Sequence, residues 1–245
     1  MGRDYKEEFD KRVYFIRDLL KKSGAEGIVY GNSGGKDSVL VGILCKAACE
    51  NTVGLIMPCS ANRNYGIDTE DGLEVAAKYG IETRVVDLSP VKESVVAQLD
   101  GITELNKGAL TNIAPRLRMT TLYAVAASEN RLVAGTGNRS EYYVGYFTKW
   151  GDGGHDFNPI FDLTVREIYE FLRFLEAPEF IINKAPSAGL FDGQTDEGEM
   201  GFRYEELDEY LLSGKANEDV LKKIDRLHSI SEHKRTGVAR YGELK

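Results

Sequence analysis

An apolar stretch, Gly27-Ile28-Val29-Tyr30, runs directly into Gly31-Asn32-Ser33-Gly34-Gly35-Lys36-Asp37-Ser38 and on into an apolar helical run over 36–49. This strand, glycine loop and helix constrain the chain more than any other feature. Glycines let backbone amides approach an anion closely, and the N-terminus of the following helix adds partial positive charge. The unit reads as a phosphate cradle. The alternation it begins continues along the chain. Strands are expected at 27–31, 52–57, 82–87 and 131–135. Helices are expected at 36–49, 68–79, 89–99 and 111–129, with Asp68 as the N-cap of the second. Ahead of them, Phe9, Val13, Ile16 and Leu20 recur at helical spacing over 4–22. Apolar strands separated by helices imply the α/β class: a single-domain, doubly wound parallel sheet with helices on both faces and the cradle after the first strand. Ligands in such a sheet sit beyond the strand C-termini. Both the 31–38 loop and Gly135-Thr136-Gly137 fall at such ends.

Composition narrows the class of partner. The 245 residues fit one domain over 1–245, and the net charge of −8 gives no support for a nucleic-acid partner. No apolar run approaches the ~20 residues that span a bilayer, and the charged N-terminus lacks a signal region. Cys45, Cys49 and Cys59 form no Cys-x-x-Cys pair, which argues against zinc and redox motifs and suits reduced thiols. The expectation is a cytoplasmic chain with no membrane and no nucleic-acid partner. From Tyr142 onward the texture changes. Residues 148–160 and 185–202 are long, glycine-rich and acidic. Helices return at 164–175, about 203–212 and 217–229, and the polar tail, about 230–245, is expected to be partly mobile. Tyr142, Tyr143, Tyr146, Phe147 and Trp150 place five aromatics within nine residues. Stacking on a substrate ring, core packing and subunit contact are all open to them.

The 31–38 loop departs from the Walker P-loop. Counted from Gly31, Lys36 falls one residue early, and Asp37 stands where Ser or Thr would hold magnesium. It matches instead the PP-loop of ATP pyrophosphatases, which split ATP between its α- and β-phosphates. Behind it come Gly135-Thr136-Gly137-Asn138-Arg139-Ser140-Glu141, then Gly145-Tyr146-Phe147-Thr148-Lys149-Trp150-Gly151-Asp152-Gly153-Gly154-His155-Asp156 and Asn158-Pro159-Ile160. Lys184-Ala185-Pro186-Ser187-Ala188, Gly193-Gln194-Thr195-Asp196-Glu197 and Glu232-His233-Lys234-Arg235 follow. In this order the set resembles the NH3-dependent NAD synthetase family, over nearly the whole chain.

That resemblance implies ATP-dependent amidation of deamido-NAD by ammonia through an adenylate, giving NAD, AMP and pyrophosphate. It implies magnesium held by Asp37 and Glu141, and ATP contacts from Gly31, Asn32, Ser33, Gly34, Gly35, Lys36, Asp37, Ser38, Thr136 and Ser187. Arg116, Lys149, Asp156, His233 and Lys234 match deamido-NAD contacts, with Asp156 counted beside Asp37 and Glu141 as catalytic. Whether Asp156 bonds a ribose or the amide, or takes a proton from ammonium, stays open. The resemblance also implies a homodimer; the apolar and small residues of the 111–129 helix suit that contact and equally suit a helix buried within the chain. A PP-loop starting at residue 31 leaves no room for a preceding amidase domain, so free ammonia is the expected nitrogen source. Two positions depart from the family. Ala114-Pro115 precedes Arg116 where a lysine is common, and Val165 stands at an ATP-contact position usually held by lysine. Valine cannot donate, and Lys36 is the expected substitute. His155 and His228 match no motif position. Two alternatives stand beside this reading: another PP-loop adenylating amidotransferase or ligase, and a non-catalytic nucleotide-binding sensor.

Overall fold

A computed structural model describes residues 2–59, 66–184 and 195–242. The chain opens with α1, Tyr5–Ser23. Asp4 caps it by accepting from the amides of Lys6 and Glu7, and Gly24 ends it in the left-handed conformation at φ 72°. Strand β1 (Gly27–Gly31) leads into α2 (Lys36–Ala48), and β2 (Thr52–Ile56) precedes α3 (Ile67–Tyr79). Strand β3 (Glu82–Val85) leads to α4 (Ser89–Leu99), α5 (Lys107–Glu129) and β4 (Arg131–Ala134). All strand pairs are parallel, in the order β3-β2-β1-β4. The expected doubly wound sheet is therefore present. Successive connections step outward from β1 to β3, and the chain then returns to the other side of β1. The order reverses between β1 and β4, so a crevice opens at their C-terminal ends.

Alternation along β1 separates the two faces. Ile28 and Tyr30 join Leu40, Leu44, Ile168, Phe171 and Leu172 on one side; Val29 joins Val53, Leu55, Leu122, Ala126 and Val133 on the other. Beyond β4 come α6 (Arg139–Val144), α7 (Val165–Phe174), α8 (Glu179–Ile182) and α9 (Asp196–Met200). They are followed by α10 (Tyr204–Ser213), α11 (Glu218–Ile230) and α12 (Glu232–Arg235). A third cluster (Val144, Val165, Met200, Phe202, Tyr204, Leu207 and Ile224) packs these C-terminal helices together. Helix α7 joins it to the main core, because Val165 and Tyr169 face the third cluster while Ile168, Phe171 and Leu172 face the first.

Several local expectations change. Asp68 is not the N-cap: α3 begins one residue earlier, after Gly66, and the Asp68 carboxylate pairs with Lys184 at 2.8 Å. Helix α5 starts at Lys107 rather than 111, because Asn106 caps it by accepting from the Ala109 amide, and Pro115 lies inside it. Helix α6 lies in a stretch for which the sequence pattern predicts no element. The tail carries a helical turn held down by Arg235, which donates to the carbonyls of Tyr143 and His228. Ser187, and residues 185–194 of the expected 185–202 loop, lie outside the described residues. Among the described residues, no helix is long and apolar enough to cross a membrane.

Candidate active site

The crevice between β1 and β4 is a cleft of about 410 Å³. One wall is the loop after β1. Gly34 adopts φ +66°, and a Cβ there would come within 2.4 Å of the Asp68 carbonyl oxygen. Only glycine fits. Asn32, 2 % exposed, fastens this loop to α3 by donating to the Gly72 carbonyl at 2.9 Å, while its own side-chain oxygen accepts from the Gly34 amide. The Ser33 and Ser38 hydroxyls lie 3.1 Å apart across the mouth of the loop. Helix α2 has Gly35 as its N-cap with no side chain capping it. Its first amides thus form an open donor set at a helix N-terminus, the arrangement that binds phosphate, while the Ser38 hydroxyl donates to the Gly35 carbonyl at 3.0 Å.

Two acids face this cradle. Asp37, in the first turn of α2, accepts from the Lys36 ammonium at 2.7 Å and from the Asn138 side-chain amide at 3.1 Å. Glu141 comes from α6 on the opposite wall. Asn138 caps α6 in a reciprocal box: its side-chain oxygen accepts from the Glu141 backbone amide, and its backbone amide donates to the Glu141 carboxylate at 3.1 Å. Fully buried Asn138 therefore binds both acids at once. Desolvation of the half-buried Glu141, with Asp37 close by, pushes its carboxyl well above the usual range. Burial opposes the charge on Lys36, but Asp37 and Glu141 outweigh it and hold its pKa above that of an ordinary lysine. Two carboxylates beside a phosphate cradle suit a hard cation that takes its remaining oxygens from phosphate and water.

Gly31, Thr136 and Lys234 also line the cleft. Lys234 donates to the carbonyls of Gly145 and Phe147, both at 2.6 Å, and burial pulls its ammonium below the usual lysine value. Arg116, Lys149, Asp156 and His233 do not line it. Arg116 and Lys149 lie on a neighbouring exposed surface, where Arg116 reaches the Lys149 carbonyl at 3.4 Å and Lys149 the His233 carbonyl at 2.5 Å. Both carboxylate oxygens of Asp156 are engaged, by the Tyr123 hydroxyl at 2.9 Å and the Val133 amide at 2.8 Å. Val165 is 4 % exposed inside the third cluster, so its side chain is not available to the cleft. The α7 N-terminus behind it is already satisfied: Ser140 accepts from the Val165 amide, Asp208 from Arg166 and Thr164 from Glu167. Arg166 pairs with Glu209 at the surface.

A family model described as NAD synthase matches residues 8–238. The chain belongs to the NAD synthase family. It is 47% identical over 235 residues to an NH(3)-dependent NAD(+) synthetase of Carboxydothermus hydrogenoformans, covering 95% of this chain and 96% of the relative. Among solved structures, an NMN synthetase from Francisella tularensis superposes with TM-score 0.93 at 37% identity, covering 99% of this chain and 100% of the other. An NH3-dependent NAD synthetase from Campylobacter jejuni, in complex with the nitrate ion, superposes with TM-score 0.80 at 31% identity, covering 98% and 100%.

Within this NAD synthase fold, several cleft residues were given no role by sequence reasoning. Asn138 is one; its signal was the Asn-x-x-Glu spacing of a capping box. Lys184 is another: its ammonium reaches the Gly34 carbonyl at 3.2 Å, Asp68 at 2.8 Å and Asp71 at 2.6 Å, fixing the cradle to α3. Asp196, 3 % exposed, lines the cleft and accepts from the Tyr204 hydroxyl. No local pattern places Lys184 or Asp196, because both arrive from segments far along the chain. His155 abuts Gly135, where a Cβ would lie 2.5 Å from its ring, and His228 stacks on Tyr143.

Proposed function

We propose that the chain uses ATP to amidate the nicotinate carboxylate of deamido-NAD with ammonia, giving NAD, AMP and pyrophosphate. One observation carries this reading: a cradle of pyrophosphate type on β1 and α2 faces Asp37 and Glu141, which Asn138 binds together across the β1–β4 crevice. A carboxylate is a poor electrophile and must be activated. Its oxygen bonds to the α-phosphorus of ATP, the bond to the bridging β-oxygen breaks, and pyrophosphate leaves. Ammonia then bonds to the acyl carbon, AMP leaves with the former carboxylate oxygen, and a proton is lost. Negative charge collects on the departing pyrophosphate. The amides at the start of α2 are placed to receive it as preorganised donors, and the Ser33 and Ser38 hydroxyls can turn to it from their bonds to each other and to the Gly35 carbonyl.

Asp37 and Glu141 would hold magnesium. The fit is indicated by the Lys36 ammonium, a cation already resting 2.7 Å from Asp37. When bound, the ion supplies charge neutralisation on the phosphates. Thr136 is placed to contact ATP from the loop after β4, and Lys234 to meet an anionic part of the dinucleotide. Ser187 keeps its expected ATP contact as part of the proposal. Arg116, Lys149, Asp156 and His233 stand outside the cleft, so their contact with deamido-NAD is proposed to occur at a seam with a second copy of the chain. A homodimer is supported by α4, which buries none of its residues and carries exposed Val91, and by exposed Ile102 just beyond it.

The Francisella likeness favours a second substrate for the same chemistry: the nicotinate mononucleotide, which carries the same carboxylate without the AMP half. One assay tests both. The purified chain is given ATP, magnesium, ammonium and either acid, and products are separated by chromatography. Amide, AMP and pyrophosphate in equal amounts are expected, with the dinucleotide preferred. Preference for the mononucleotide would transfer the reading to the second substrate, and ADP with phosphate, or no amide from either acid, would contradict it.

A further inference from the structure

Lys36 is the first residue of α2, 6 % exposed, with its ammonium 2.7 Å from Asp37 and 5.7 Å from the centre of the Tyr204 ring. Three physical terms oppose a lysine there. Desolvating an ammonium is expensive, and a buried ion pair returns little net stability. The N-terminus of a helix carries partial positive charge, which repels a cation in its first turn. The same amides form the anion cradle, so the site gathers positive charge before any ligand arrives. Lys36 is nevertheless held in the cleft wall, against the two acids that face the cradle.

We propose that Lys36 is a tethered cation with two stations. In the nucleotide-free protein its ammonium neutralises the Asp37 and Glu141 pair. When the metal and nucleotide enter, the metal takes the carboxylates and the ammonium moves to the phosphate chain of the nucleoside triphosphate. The flexible four-carbon stem permits that move, and an ammonium is a compact point charge suited to phosphate. The first station keeps the carboxylates together without a metal; the second adds a donor to a phosphate chain that loses its pyrophosphate. Position 165, sealed in the third cluster, supplies no cation, and Arg166 is turned to Glu209. The proposal rests on the assignment of Asp37 and Glu141 as metal ligands.

The two stations predict changes of opposite sign. Binding of Mn2+ to the nucleotide-free protein is followed by electron paramagnetic resonance. Binding of ATP at saturating magnesium, without the acid substrate and so without turnover, is followed by calorimetry. Lys36→Gln removes the competing cation and should tighten Mn2+ about tenfold. It should weaken ATP about tenfold or more, the scale of one charge-assisted hydrogen bond. Lys36→Arg keeps the charge and should stay within about threefold of the parent in both. A purely structural lysine would weaken both ligands together in Lys36→Gln, and that result overturns the proposal. So does an unchanged affinity for either ligand, or Mn2+ binding by Lys36→Arg as tight as by Lys36→Gln. If Lys36→Gln does not fold, the arginine variant alone decides, since the proposal requires it to retain both parental affinities. Absence of Mn2+ binding by the parent protein would defeat the metal assignment itself, whereas parental binding with unaltered variants would defeat only the role of Lys36.

Discussion

The two walls of the cleft are built in different ways. The cradle wall is backbone. β1 lies between β2 and β4 in a parallel ladder, its loop is pinned by Asn32 to Gly72, and Gly34 packs where no side chain can. The opposite wall runs from Thr136 to Asp152 and is completed by Lys234; Val144 seats it in the third cluster, and single polar side chains fix its loops. Asn158 holds the Gly137 carbonyl at 2.8 Å, and Ser140 is held by buried Asp208 at 2.5 Å. Lys234 bonds the Gly145 and Phe147 carbonyls. A ladder shares its geometry among many bonds, whereas a side-chain tie is a single point. The first wall should fail sterically and with loss of stability. The second should fail by deletion of one polar group, with the fold intact.

The strongest test of that contrast removes the two acids in turn. Asp37→Asn and Glu141→Gln should each lower kcat by about 10²–10³, as loss of a group that stabilises transition-state charge does. Their stabilities should differ. Asp37→Asn leaves Lys36 buried without its partner, a loss of up to about 3–5 kcal/mol, visible in the Tm. Glu141→Gln removes an acid already disfavoured by desolvation, and its Tm should hold or rise. Adding Lys36→Met to Asp37→Asn should restore the Tm without restoring kcat. Equal Tm values for the two single variants would erase the distinction between the walls.

A steric break comes next. Gly34→Ala forces a left-handed residue, about 1–2 kcal/mol of backbone strain, and drives its Cβ into the Asp68 carbonyl. ATP affinity measured by calorimetry should fall by at least about tenfold, with a lower Tm; parental affinity would show that the loop yields more easily than its packing implies. A polar break follows on the other wall. Asn138→Ala removes a helix cap, about 0.5–2 kcal/mol, and the side-chain donor to Asp37, while the backbone amide at 138 still holds Glu141. Because Asp37 loses that donor, the magnesium concentration for half-maximal rate should rise several-fold while the KM for ATP changes little. An altered KM for ATP with unaltered magnesium dependence would place Asn138 with the cradle instead.

The smallest effect concerns His155, behind Gly135. Burial lowers its pKa below the ordinary 6.5, despite the nearby Asp152 and Asp156 carboxylates. The unfolded chain then binds the proton first, so stability is full above pH 6.5 and falls as pH drops through that value toward the folded pKa. The slope cannot exceed about 1.4 kcal/mol per pH unit. Denaturant titrations at pH 7.5 and 5.5 should show this loss in the parent and a smaller one in His155→Gln; equal losses would remove His155 from the pH dependence.

The same contrast explains what the sequence disclosed. The cradle wall is local: strand, glycines, acid and helix follow one another within 27–49, so periodicity and loop chemistry locate it, and the family resemblance adds the role expected of Asp37. The parallel direction of the strands follows from β-α alternation in the same way, but their order does not. The polar wall is assembled from distant pieces. That Asp156 spends its carboxylate on Tyr123 and Val133, or that Lys184 binds the Gly34 carbonyl, depends on packing that no window of sequence contains. The family resemblance named Asp156, Arg116, Lys149 and His233 without showing that they lie outside the cleft. Val165 reads as a lost contact from sequence, and becomes a buried core residue once the third cluster is seen.

The central claim is that the cleft holds a carboxylate against the α-phosphorus of ATP while the cradle holds the departing pyrophosphate. Transfer of labelled oxygen tests it directly. Deamido-NAD carrying 18O in its nicotinate carboxylate is turned over with ATP and ammonium, and the phosphorus-containing products are examined by 31P NMR or mass spectrometry. The account predicts one 18O in each AMP formed and none in pyrophosphate. Label appearing in pyrophosphate or inorganic phosphate, or AMP formed without label, would contradict it.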